Sequence, residues 1–100
     1  MFATVSTYRA REGEDDAVIA LHEDWQRNHA QSSSIYISWA LLQNNKEPRE
    51  FVAIAYFSAQ ESVQAALNEL NRDAWYTRLV SLLEAEPVII HCTCVWRMFS

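Results

Sequence analysis

The chain has little of what loops are made of: one glycine and two prolines in 100 residues. That scarcity excludes a loop-dominated or low-complexity protein. It is also poor in positive charge. Eight Lys and Arg stand against thirteen Asp and Glu, for a net charge of −5. Around the middle loop the closest basic pair, Lys46 and Arg49, is flanked by Glu47 and Glu50. Nucleic-acid binding needs a basic face to neutralise phosphates, so no nucleic-acid partner is expected. No apolar run approaches the ~20 residues that span a bilayer, so no membrane partner is expected. "MFATVSTYRA" lacks the charged start and apolar stretch of a signal peptide. There are only two cysteines. Together these point to a reducing cytoplasm.

What is present is apolar and aromatic. Half of the residues are hydrophobic and 12% are aromatic. A chain of this length makes one domain, residues 1–100. So rich a supply of apolar side chains raises the prospect of a second copy covering some of them.

The pattern along the chain alternates between two periods. "FATVSTYR" reads as a strand from Phe2 to Arg9. Gly13 marks the turn that follows. Glu14, Asp15 and Asp16 then crowd a helix N-terminus, where negative charge suits the macrodipole. This helix is expected to run to about Ala30, with Ala17, Val18, Leu21, Trp25 and Asn28 on its buried face. Ile19 is expected to point elsewhere, and His22 and His29 to lie on a solvated flank. Ile35 to Gln43 and Glu50 to Phe57 read as strands joined through the polar turn "NNKEP", a hairpin. Ser58-Ala59-Gln60-Glu61 has the form of a capping box. Val63, Ala66, Leu67 and Leu70 follow at helical spacing. Asn71-Arg72-Asp73 interrupts that helix, and Asp73 caps a second piece carrying Trp75, Leu79, Leu82 and Leu83. Pro87 stops helix formation, and a last strand is expected from Val88 to about Phe99.

The order β-α-β-β-α-β, with the second helix split in two, predicts a ferredoxin-like α+β domain with a four-stranded antiparallel sheet. Helices cover one face of such a sheet, and the other is ordinarily polar. Here both faces of the last three strands are largely apolar. Leaving several such side chains wet forfeits several kcal/mol at about 25 cal/mol per Å2. The expected partner is a second copy, packed sheet against sheet.

"HCTC" looks like a chemical motif. In a strand, however, alternation sends Cys92 and Cys94 to one face and His91 to the other. The three cannot converge on one ion, and C-x-C lacks the usual zinc spacing, so no metal site is expected. Both thiols are expected in the core, and Trp25, Trp39, Trp75 and Trp96 in the core or an interface. His91 shares its face with Ile89, Thr93 and Val95. If that face borders a cavity, His91 is a candidate proton acceptor; otherwise it is a hydrogen-bonded interior residue. Tyr36, Ser38 and Tyr56 offer hydroxyls on the sheet, and Trp75 near the helix break offers an aromatic wall. The acidic cluster from Glu12 to Asp16 reads as a solvated helix start.

"YRAREGEDDAVIALHEDW" and "EFVAIAYFSAQESVQAAL" resemble the antibiotic biosynthesis monooxygenase-like family of dimeric α/β barrels. The carrying features are Tyr8, Arg9, Gly13, Glu14, Asp15 and Trp25, then a hydrophobic strand, a Ser cap and a helix beginning with acids. The likeness covers nearly the whole chain, although its motifs are mostly structural signatures. It implies a homodimer joined through open sheet faces. It also implies a cavity between sheet and helices for a phenol or quinol, and reaction with molecular oxygen without flavin or metal. Within that frame His91 is the candidate catalytic residue. Tyr36, Ser38, Tyr56, Trp75 and Thr93 are candidate substrate-binding residues, and no cofactor is expected. The alternative is a non-catalytic homodimer that binds a small molecule or serves a structural role. The family's haem-degrading branch is a poorer match, because residues 2–9 hold no Asn and residues 59–86 no His.

Overall fold

The computed structural model describes residues 1–28, 36–59, 61, 65 and 74–98, without the side chains of residues 26, 28, 36 and 37. The elements are β1 (Phe2–Arg9), α1 (Asp15–Asn28), β2 (Tyr36–Gln43), β3 (Glu50–Phe57), α2 (Ala74–Ser81) and β4 (Val88–Thr93). The four strands form one antiparallel sheet in the order β2-β3-β1-β4. This is the ferredoxin-like α+β arrangement expected from the sequence. The capping box at 58–61, the helix expected to carry Val63, Ala66, Leu67 and Leu70, and the break at 71–73 fall wholly or partly outside the described residues. So do Ile35, His29 and Phe99. Among the described residues no helix is long and apolar enough to cross a membrane.

Strand register decides which side chains face the helices. Tyr8 pairs with Phe51, Ser6 with Ala53, Thr4 with Ala55 and Phe2 with Phe57. Partners in an antiparallel pair point to the same side. Phe51, Ala53, Ala55, Phe57 and Tyr8 are all buried, so this is the helix side. From α1 it receives Val18, Leu21 and Trp25, and from α2 Trp75 and Leu79, with Leu83 beyond the helix end; all are 3% exposed or less. Ile19 also packs against this core, half-buried, contrary to expectation. The buried stripe of α1 is therefore wider than its strongest residues suggest.

The opposite face is open. Three rows cross it: Leu42–Val52–Thr7–Val88, Ala40–Ile54–Val5–Ile90 and Ser38–Tyr56–Ala3–Cys92. Leu42, Val88 and Ile90 are 51%, 60% and 53% exposed. The Arg9 guanidinium borders one end, paired with Glu50 at 3.0 Å, Glu84 at 3.3 Å and Glu47 at 3.6 Å. At the other end the Arg97 guanidinium lies 4.9 Å from the centroid of the Tyr56 ring. A cleft of about 530 Å3 opens at the Arg9 end, with apolar Leu42, Val52 and Val88 in its lining and the buried rings of Tyr8 and Phe51 at its margin.

The last strand is shorter than expected. Thr93 pairs with Phe2, and the Cys94 amide donates to the Met1 carbonyl at 2.9 Å. Beyond that bond residues 94–98 leave the sheet. Val95 and Trp96 become 93% and 78% exposed, which corrects the core placement of Trp96. Cys92 and Cys94 are free, half-buried thiols and not core residues, because Cys92 lies on the open face of an edge strand.

The turn into α1 has one strict backbone requirement. The Glu14 amide donates to the Arg11 carbonyl at 3.0 Å, and Gly13 between them has φ 80°. A positive φ at the third turn position is the type II requirement that favours glycine. A Cβ there would meet nothing within 4 Å, so only the backbone resists substitution. Gly13→Ala should therefore cost about 1–2 kcal/mol, read as a shift in the urea midpoint. An unchanged midpoint would mean that the turn relaxes freely.

Candidate functional site

Four elements converge on one imidazole. His22 stands on α1 one turn after Val18, and its Nδ1 lies 2.8 Å from the Val18 carbonyl oxygen. A carbonyl can only accept, so Nδ1 carries the proton. Nε2 of the neutral ring is then an acceptor. It lies 2.9 Å from the Tyr8 hydroxyl, which donates to it from β1. The Tyr8 and His22 rings stack at 5.8 Å. Trp39 from β2 and Trp75 from α2 meet the imidazole edge-on at 5.6 and 5.2 Å. Trp25 closes the group, 5.5 Å from Trp39 and 5.4 Å from Trp75. The Trp75 indole N–H donates to the Leu21 carbonyl at 2.9 Å, which sets the orientation of that ring.

Burial acts on both titratable groups in the direction of neutrality. It lowers the His22 pKa below 6.5, against an opposing pull from the Val18 carbonyl. It raises the Tyr8 pKa well above 10, with the nearby Tyr76 adding to the shift. The resting pair is therefore a phenol and a neutral imidazole, already in hydrogen-bonding contact in an apolar box. Such a pair is suited to moving a proton.

The residues expected at the site from sequence do not assemble around one pocket. Trp75 is in the aromatic box. His91 pairs with Thr4 on the helix side of β4, at the sheet edge opposite Trp39, and is exposed. Three strand spacings separate the two, roughly 14 Å. Thr93 is exposed on the same edge, opposite Phe2. Ser38 and Tyr56 pair with each other on the open face, away from the box. Tyr36 stands opposite Phe57 across a bulge, and its side chain is outside those described.

His22 and Tyr8 were not singled out in the sequence as a pair, and the expected solvated flank for His22 is corrected here. The signal was Ile19. At 100° per residue His22 falls about 40° from Val18 and Ile19 about 100°, so a stripe that includes Ile19 encloses His22. Tyr8 carried its own signal, three alternations from Phe2 along one face of a strand.

No family model and no curated protein matches the sequence. The fold has clear counterparts. An antibiotic biosynthesis monooxygenase superposes with a TM-score of 0.74 at 14% identity, over 95% of this chain and 99% of that one. SnoaB, a cofactor-independent oxygenase from Streptomyces nogalater, gives 0.73 at 16%, over 97% and 95%. A protein of unknown function from Nitrosomonas europaea gives 0.80 at 19%, over 99% and 93%. The chain shares the fold of these proteins along essentially its whole length.

The His22 shift has a definite sign. The unfolded histidine titrates near 6.5 and the folded one below it, so below 6.5 the unfolded state binds the proton first. Stability is full above that value and falls as the pH drops through it, by at most about 1.4 kcal/mol per pH unit for one proton. In urea melts followed by tryptophan fluorescence between pH 7 and 5, His22→Gln should have a shallower pH dependence than wild type. Parallel curves would place His22 in a water-like environment.

Proposed function

We propose that this protein is a cofactor-independent oxygenase of the antibiotic biosynthesis monooxygenase kind, acting on a small phenol or quinol as a homodimer. The observation that carries the reading is the Tyr8–His22 hydrogen bond inside the tryptophan box. The fold shared with SnoaB, itself a cofactor-independent oxygenase, supports the reaction class. In this reading the base is His22 and not His91, which stands exposed at the sheet edge.

The chemistry needs a base and an apolar room. A substrate O–H or activated C–H gives its proton to the Tyr8 oxygen as the Tyr8 proton passes to His22 Nε2. The substrate anion is electron-rich at carbon and reduces dioxygen itself, so the electrons come from the substrate. A CH2 group and O2 become a carbonyl and water by loss of water from the carbon-bound hydroperoxide. Trp39 and Trp75 supply flat walls for an aromatic ring and keep water away from the anion.

The open sheet face supports the dimer. Ile54 and Val5 lie in its middle row and are only half-buried in a single chain. A second copy packed there would remove the three apolar rows from water. The free thiols Cys92 and Cys94 suit a reducing compartment, and we place the protein in the cytoplasm.

Oxygen uptake across a panel of anthrones and quinols tests the activity. At least one should be turned over, and Tyr8→Phe and His22→Gln should each lower kcat by about 10²-fold or more. His91→Ala should retain wild-type turnover. Loss of activity in His91→Ala with retention in His22→Gln would return the base to β4. No uptake with any compound would remove the oxygenase reading.

Sedimentation at micromolar concentration tests the assembly. Wild type should run as a dimer and Ile54→Glu as a folded monomer, because a charge in the middle row has no partner. A monomeric wild type would refute the interface.

A further inference from the structure

The aromatic box brings four oxidisable rings, Tyr8, Trp25, Trp39 and Trp75, together around His22. Trp25, Trp39 and Trp75 are in mutual contact, with centroids 5.4, 5.5 and 5.9 Å apart. His22 touches two of them, and Tyr8 stacks on His22. Indoles and phenols are the side chains most easily oxidised by one electron. A phenol gives up an electron readily only if its proton can leave at the same time, since the phenol radical cation is a very strong acid. Tyr8 has an acceptor in place at 2.9 Å. Trp25 and Trp75 are 1% and 3% exposed, whereas Trp39 is half-buried on edge strand β2 and is the ring through which an electron can leave.

We propose that Trp39, Trp25 and Trp75 together with the Tyr8–His22 pair form a one-electron relay that carries an oxidising equivalent inward from the surface to Tyr8. An outer-sphere oxidant of the peroxyl or aryloxyl radical class takes one electron from Trp39 and is reduced by one electron. The indole radical cation is shared through ring contact with Trp25 and Trp75. Tyr8 then gives an electron to the indoles and its hydroxyl proton to His22 Nε2. The products are three restored tryptophans, a neutral Tyr8 phenoxyl radical and an imidazolium at His22. A thiolate reductant in solution returns the system: it supplies one electron and becomes a thiyl radical, and the phenoxyl recovers its proton from His22. The relay holds the radical on a buried ring whose proton is kept one hydrogen bond away. It needs no substrate, so it stands apart from the oxygenase reading.

The test is flash-quench oxidation of the intact protein with photogenerated tris(bipyridine)ruthenium(III), followed by transient absorption and freeze-quench electron paramagnetic resonance. Ring-deuterated tyrosine identifies the phenoxyl signal. Wild type should pass from a tryptophan radical to a tyrosyl radical, more slowly in D2O because a proton moves with the electron. Tyr8→Phe should lose most of the tyrosyl signal and prolong the tryptophan radical. His22→Phe keeps a ring in the stack but removes the acceptor, and should do the same. A tyrosyl signal that persists in Tyr8→Phe would assign it to Tyr36, Tyr56 or Tyr76 and overturn the proposal. So would tyrosyl formation in wild type that is indifferent to D2O, a measurement that does not depend on either variant folding. A failed oxygen-uptake screen leaves all of these readouts intact, so the two readings fail separately.

Discussion

The register of β1 between β3 and β4 is the constraint on which the rest depends. β1 is an inner strand bonded along its whole length to β3 and through six residue pairs to β4. A slip of one residue would exchange its faces. Tyr8 would then point toward the open side and Arg9 toward the helices. In the observed register Tyr8 meets His22, while Arg9 collects Glu47, Glu50 and Glu84 at the rim. Each of those ion pairs is partly exposed and contributes little alone. Their value lies in position: one guanidinium holds the end of β1, the turn before β3 and the segment after α2. The Ala10 and Arg11 amides reinforce this by donating to Arg49 and Leu82.

That register also explains why the helix side has room for an aromatic box. The middle rows on that side read Leu41–Ala53–Ser6–Ile89 and Trp39–Ala55–Thr4–His91. The two inner strands contribute only small side chains there, so bulk comes from the edges and from the helices. Trp39 rises from one edge and Trp25 and Trp75 descend onto it from α1 and α2. His91 stands on the opposite edge, across the small residues of the inner strands.

Much of this was legible in the sequence because alternation and helical periodicity record burial directly. The strands β1 and β3 are bounded as their patterns imply, and the apolar excess on the open face was visible before any pairing was known. The end of β4 was not legible. Val95 and Trp96 continue an excellent strand pattern, but the pairing of β4 with β1 ends at Thr93. That limit is a property of the pairing. The Tyr8–His22 pair was not legible for a related reason. His91 sits in a conspicuous run of chemically reactive residues, whereas His22 is one polar residue on a helix flank. Its significance depends on Tyr8, fourteen residues away and on another element. A hydrogen bond across two elements leaves no periodic trace in either.

The electrostatics of the pair bear on both activities proposed for it. Burial disfavours the charged form of each group, so it opposes His22 protonation and Tyr8 ionisation together. A bare transfer from Tyr8 to His22 would create two charges in an apolar box and is suppressed by both shifts. The proton can cross only when something else removes the negative charge from Tyr8. A substrate that gives a proton to the phenol oxygen does so, and so does an indole that takes an electron from the ring. In either event Tyr8 ends neutral and His22 becomes charged, with Nδ1 already directed at the Val18 carbonyl; the negative charge is carried by the substrate anion in the first case and is absent in the second. The depressed histidine pKa then favours return of the proton, which resets the pair.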